Sequence, residues 1–149
     1  MKDVSLCPSV CFETTVPRLV RRQLNELEAA GKPIGALVNV TNDGWFLGTS
    51  CLDLHLACNV MRAVEMRRPM LVSANTGFSA HINEFGRLIQ VGPRRAEAYL
   101  ICDVRIPDPV VTTYRGWGGW FGAVCGVLVV LALVLARVKS EPRVVSRDA

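Results

Sequence analysis

Two stretches of this sequence hold side chains suited to chemistry. The first is Val10-Cys11-Phe12-Glu13, where a cysteine closes a short apolar run and a helix-like pattern begins soon after. A thiol placed between a strand and a helix lies near backbone N–H groups, which lower its pKa and favour the nucleophilic thiolate. The competing reading of an isolated cysteine is a small buried hydrophobe. The second stretch is Asn42-Asp43-Gly44-Trp45-Phe46-Leu47-Gly48, in which polar residues and glycines surround two bulky aromatics. A loop at the end of an α/β strand commonly forms a ligand-facing wall. Trp45 and Phe46 either pack over a substrate or lipid chain or simply cover the core. Glu65 flanks an apolar helical face and follows Arg62 by three residues, so a local helix ion pair is its plain alternative. His55 reads as structural, since no second histidine makes a metal pair with it. His81 alternates with apolar neighbours and reads as exposed or structural.

The elements that must position these groups follow from punctuation and periodicity. Pro8 argues against a regular central strand around it, although a strand end fits. Thr14 or Thr15 is placed to cap a helix with Pro17 in its first turn. Leu19, Val20, Leu24 and Leu27 recur at helical spacing to about Ala30, and Gly31, Lys32 and Pro33 stop the helix. Ile34 to Thr41 reads as a buried strand. Leu52, Leu56, Val60 and Ala63 form one apolar stripe of a second helix, which Arg67, Arg68 and Pro69 close. Met70 to Ala74 is a third strand, and Asn75-Thr76-Gly77 turns the chain. Phe78 to Ile82, Arg87 to Val91 and Ala98 to Val104 continue as a meander. The order strand, helix, strand, helix, strand predicts an α/β layer structure with a mixed sheet.

Composition narrows the function. The 149 residues suffice for one modest domain, and part of that length is a single apolar run. Trp117 to Ala136 carries no charge and has the length of about 20 residues that spans a bilayer. Tyr114, Trp117 and Trp120 are placed as interfacial anchors, and Arg137, Lys139, Arg143 and Arg147 follow the run. The positive-inside rule then makes the tail cytoplasmic and puts the preceding domain on the other side; Glu141 and Asp148 count little in it. Met1 to Glu13 is too short for a signal peptide and has no apolar h-region. The net charge of +4 comes without a dense basic tract, which argues against nucleic acid as a partner. The six cysteines form no C-x-x-C pair, no zinc-like spacing and no evident disulfide framework. Neither a metal nor another cofactor is expected.

Four ordered motifs carry a resemblance. Cys11-Phe12-Glu13 is similar to a Cys-Tyr-Glu nucleophile motif, and Asn39 to Phe46 (NVTNDGWF) to Asn-x-x-Asn-Asp-x-Trp-Phe. Met61 to Pro69 (MRAVEMRRP) resembles Met-Arg-Ala-x-Glu-x-x-Arg-Pro, and Asn75 to Ala80 (NTGFSA) resembles Asn-Thr-Gly-x-Ser/Thr-Ala. Together they resemble the C-terminal part of the apolipoprotein N-acyltransferases of bacterial inner membranes, in the carbon–nitrogen hydrolase (nitrilase) superfamily. The set covers nearly the whole chain; Cys-x-Glu alone is weak.

The resemblance implies the C-terminal half of a nitrilase-like α-β-β-α sandwich over residues 1–110. A linker (111–116), a transmembrane helix (117–136) and a cytoplasmic tail (137–149) would follow. It implies acyl transfer from a phospholipid through a thioester on Cys11 to the N-terminal amine of the diacylglyceryl-cysteine of apolipoproteins, on the periplasmic face. Glu13 would orient or tune the cysteine, while Asn42, Trp45, Phe46, Glu65 and Asn75 would line the substrate pocket. The family's base and oxyanion donor, a Glu and a Lys, lie upstream of its cysteine. Ten residues precede Cys11 here, and Lys2 and Lys32 are poor substitutes. The expectation is therefore a truncated or split gene product or a mis-called start, inactive alone, with an uncovered sheet face. A membrane-tethered nitrilase-like amidase and an inactive remnant or accessory subunit are the competing functions.

Overall fold

The computed structural model describes residues 4–140. Lys2, Glu141, Arg143, Arg147 and Asp148, to which the sequence reading assigned roles, lie outside the described residues. The chain divides between Gly118 and Gly119 into a sheet-and-helix unit and a helical unit.

In the first unit the strands are β1 (Ser5–Val10), β2 (Ile34–Asn42), β3 (Met70–Asn75), β4 (Ala80–Ile82) and β5 (Leu88–Val91). They lie side by side in sequence order. β1, β2 and β3 are parallel, and β4 and β5 add antiparallel. Parallel neighbours need crossovers, supplied here by α1 (Pro17–Ala29) and α2 (Cys51–Met66). Two crossovers of the same hand, stepping the same way across a sheet, place both helices on one face. There Val20, Leu24, Ala63 and Met66 pack against Cys7, Leu37, Met70, Val72, Ala80 and Ile82. The mixed α/β layer fold expected from the sequence is thus the fold observed.

The crossovers also bring the C-terminal ends of three parallel strands together. Val10 pairs with Val40 and Asn42 with Asn75, so the loops that follow β1, β2 and β3 emerge at one edge of the sheet. Pro8 is tolerated because β1 is the last strand of the sheet on its side. Thr14 and Thr15 do not cap α1, contrary to expectation. They belong to a 3-10 turn, Cys11–Thr15, and α1 begins with Pro17 and no side-chain cap. Proline's missing N–H and fixed φ suit that first turn.

Ala98 to Val104 is not a strand. Ala98, Leu100, Cys102 and Val104 border a cleft with Val38, Leu71 and Ala80 of the sheet. The Cys102 thiol donates to Gln90 Oε1 at 3.0 Å. An alternating apolar segment serves as well lying against a sheet as pairing at its edge, and period alone does not separate the two. The cover it gives is partial: Leu6, Val10 and Val40, on the side away from the helices, stay 51%, 64% and 56% exposed.

Residues 111–116, read as a linker, include most of a short helix. Thr113–Trp117 forms a short helix, α3, begun by a hydrogen bond from the Arg115 N–H to Thr112 Oγ1. The Arg115 side chain is buried against α1, where it donates to Asn25 Oδ1 at 2.8 Å and pairs with Glu28. In the second unit α4 spans Trp120–Ser140. Its window Trp120–Arg137 has a mean hydropathy of 2.3 and is unburied, so it is long and apolar enough to cross a membrane. Membrane association follows from that helix.

Candidate active site

Cys11 is the first residue after β1 and is half-buried. Its φ is +50°, a left-handed conformation rare for a residue with a side chain. Such strain persists only where surrounding bonds fix it. Here the flanks of Cys11 are held on both sides. The Glu13 carboxylate accepts the Val10 N–H at 2.7 Å. The Cys11 carbonyl accepts His55 Nε2–H at 3.1 Å, the Thr14 hydroxyl at 3.4 Å and the Asn39 amide at 3.5 Å. Glu13, expected to orient or tune the thiol, thus closes the turn through the backbone.

His55 leads into a buried polar network. Its Nδ1 lies 2.9 Å from Asp43 Oδ1, which also accepts the Thr41 hydroxyl at 2.7 Å. Asn39 donates to Thr14 Oγ1 at 3.1 Å and to Asn59 Oδ1 at 3.2 Å, and Asn59 donates to the His55 carbonyl at 3.0 Å. Arg62 Nη1 reaches the Thr14 carbonyl at 3.1 Å. The network joins β2 and its following turn, the Cys11 turn and α2. Buried polar groups on this scale rigidify a structure when they are satisfied.

The sequence reading missed this cluster. It traced the inward stripe of α2 through Leu52, Leu56, Val60 and Ala63. The fully buried residues are Leu52, His55, Asn59, Arg62, Ala63 and Met66, with Leu56 and Val60 only partly covered. The available signal was three polar residues, His55, Asn59 and Arg62, at i, i+4 and i+7 amid apolar neighbours on one helical face.

The other candidates distribute unevenly along the same edge. Asn42 Oδ1 accepts the Gly44 N–H and the Asn75 amide, each at 3.2 Å, which ties the ends of β2 and β3. Phe46 packs edge-on to His55 with ring centroids 6.1 Å apart, whereas Trp45 is 82% exposed. Asp43 is buried, and Gly77 explains how: a Cβ there would sit 2.1 Å from Asp43 Oδ2, so only glycine lets that loop close over the carboxylate. Glu65 stands apart from the strand ends. It pairs with Arg62 at 2.8–2.9 Å, and its pKa is raised by burial, against the lowering effect of Arg62. A cleft of about 460 Å³ lies beside Asn75, walled by Thr76, Gly77, Arg95, Glu97 and Leu100; it does not include Cys11. Lys32 precedes β2, at the opposite edge of the sheet from Cys11. All six cysteines are free, and burial followed by Glu28 pushes the Cys7 thiol up to about 11, which leaves it inert.

A mixed α/β sheet that presents a strained cysteine at the C-terminal end of a parallel strand, joined to an apolar helix, accords with a membrane-associated member of the nitrilase-like superfamily. No family model matches the chain. Individual relatives do: it is 37% identical over 130 residues to the apolipoprotein N-acyltransferase of Geobacter metallireducens, covering 86% of this chain and 24% of that protein. The corresponding enzyme of Thermotoga maritima is 32% identical over 136 residues, or 91% of this chain and 26% of the relative. That of Rhodopirellula baltica is 30% identical over 135 residues, 89% of this chain and 24% of the relative. The chain is homologous, at the level of the family, to the apolipoprotein N-acyltransferases. It spans about a quarter of the length of these relatives.

Proposed function

We propose that this chain forms the acyl-carrying part of an apolipoprotein N-acyltransferase, with Cys11 as the nucleophile. The observation that supports this most directly is the positive-φ turn that presents Cys11 at the strand end, in a chain homologous to that family. In the proposed reaction the Cys11 thiolate attacks the acyl carbonyl carbon of a phospholipid ester. The ester C–O bond breaks, and the lysophospholipid leaves as an alcohol after taking up a proton. The free amine of a diacylglyceryl-cysteine then attacks the thioester carbonyl. The C–S bond breaks, the amide forms with loss of the amine proton, and the thiolate returns.

Both steps need a proton shuttle and donors for the oxyanion. Glu13 is engaged by the Val10 N–H, and Asp43 by His55 and Thr41. In this reading the base and the oxyanion donor come from the remaining length that the family has and this chain does not span. Asn42, Asn75, Trp45 and Phe46 form the substrate-facing rim, with Trp45 offering its exposed ring to an acyl chain. Glu65 supports the site through Arg62 and Thr14 rather than by touching substrate. The arginine and lysine that follow the uncharged run, Arg137 and Lys139, favour a cytoplasmic C-terminus and a periplasmic sheet unit.

The test is acyl labelling. Membranes containing this chain within a family-length protein, and membranes containing the 149-residue chain alone, are incubated with acyl-labelled phosphatidylethanolamine. The expected result is hydroxylamine-labile label on the longer protein, loss of it in Cys11→Ser, and none on the chain alone. Hydroxylamine-labile label surviving in Cys11→Ser refutes the assignment.

A further inference from the structure

The buried histidine beneath the nucleophile turn has an unusual set of partners. Nε2 lies 3.1 Å from the Cys11 carbonyl oxygen, which can only accept. Nδ1 lies 2.9 Å from an Asp43 carboxylate oxygen that already accepts the Thr41 hydroxyl. A neutral imidazole has one N–H and meets only one acceptor; two acceptors call for protons on both nitrogens. The second ring contact of Nε2, Thr14 Oγ1 at 3.3 Å, already takes an N–H from Asn39 and has its own proton within reach of the Cys11 carbonyl. His55 and Asp43 are each about 4% exposed, so water does not supply either nitrogen with a partner on competitive terms. Arg62, the other charged group of the network, is directed to the Thr14 carbonyl and Glu65 instead.

We propose that His55, held doubly protonated by Asp43, is a positioning residue that clamps the Cys11 carbonyl and thereby keeps the nucleophile in its positive-φ conformation. It acts through the backbone and does not touch the reacting atoms. The proposal deepens the reading of Cys11 as the nucleophile and rests on it. Without His55 the Cys11 carbonyl keeps only the longer Thr14 and Asn39 contacts at 3.4 and 3.5 Å, and residue 11 relaxes toward the negative φ that a side chain prefers.

Two measurements on the full chain in detergent test this. The first is the rate of alkylation of Cys11 relative to that of exposed Cys51, with buried Cys7 as a monitor of unfolding. His55→Leu is expected to lower the Cys11-to-Cys51 ratio by about tenfold or more with Cys7 still protected, a loss on the scale of one charge-assisted hydrogen bond. His55→Gln, whose amide N–H reaches the same carbonyl, restores the ratio to within about threefold of the original. An unchanged or raised ratio in His55→Leu overturns the proposal, as does failure of His55→Gln to restore it while Cys7 stays protected. The second is the nitrogen NMR spectrum of His55 with the ring labelled. Both nitrogens are expected to carry protons; a bare Nε2 would make the Thr14 hydroxyl its donor and a bare Nδ1 would put the proton on the Asp43 carboxyl, and either result overturns the assignment. Neither readout needs acyl transfer, so an intact clamp on a family-length protein that takes no acyl label separates failure of the catalytic reading from failure of this one.

Discussion

The two faces of the sheet obey opposite rules. Beneath α1 and α2, apolar and polar side chains alike are buried; Asp43 with His55 and Asn39 with Asn59 are hydrogen-bonded pairs, Arg62 reaches the Thr14 carbonyl, and Asn39 Oδ1 is left without a hydrogen bond. On the other face Leu6, Val10 and Val40 are apolar and more than half exposed. Strands that alternate in this way carry two apolar faces, which is the pattern of a sheet made to be covered on both sides. The covered face already has the rigidity to strain Cys11. The open face has the composition of an interior without its burial. Among the described residues, the hydrogen bonds to the Cys11 carbonyl all come from the covered side.

That contrast can be broken from the helix side first. Arg62→Leu leaves the half-buried Glu65 without its cation and the buried Thr14 carbonyl without its donor. A loss of about 3–5 kcal/mol is expected in urea unfolding, the range for breaking a buried pair by removing one partner. A loss below about 1 kcal/mol would mean that the pair is solvated, and the two faces less different than described. A smaller effect is expected from alkali. The Cys7 pKa is raised to about 11 in the folded chain from a reference of 9.0. The unfolded thiol therefore ionises first, and the folded state holds more protons between those values. The stability contributed by neutral Cys7 is full below pH 9 and is lost as pH rises toward 11, by at most about 3 kcal/mol. Cys7→Ala should flatten that part of a stability–pH curve; an equally steep fall in the variant would refute it. The smallest effect belongs to the open face. Val40→Thr removes exposed apolar surface and is expected to change stability by no more than about 0.5 kcal/mol. A loss above about 1 kcal/mol would show that this face is covered in solution.

Much of the fold was legible because its signals are local. Ile34 to Thr41 and Met70 to Ala74 are short apolar runs between breakers, and Gly31, Pro33 and Pro69 mark where helices must stop. Ala98 to Val104 misled because alternation is the same whether a segment pairs at an edge or lies over a face. The site was legible as motifs and illegible as geometry. Cys11 and the Asn42 loop could be singled out by type and spacing, whereas the parts given to Glu13 and Asn75 came from the resemblance. The grip of Glu13 on Val10 spans three residues, a scale that sequence reasoning can reach. The His55 contacts with Asp43 and Cys11 span 12 and 44 residues and exist only once the crossovers are built. Periodicity also averages over a stripe, so Leu52, Ala63 and Met66 masked the polar members on the same inward face.

Pro8 has a further consequence. It sits in the outermost strand, and its carbonyl accepts the Gln23 amide of α1 at 2.7 Å. A strand residue presents its N–H and C=O to the same side, so both groups of residue 8 face away from β2. There the nitrogen has no hydrogen to give and the oxygen is already occupied. An incoming extended chain, whether a neighbour in a crowded membrane or a misfolded copy, finds no rung at the middle of that ladder. A molecule with one sheet face only partly covered is thereby guarded along its β1 edge, and growth by strand accretion is checked where that strand's exposed backbone would otherwise invite it.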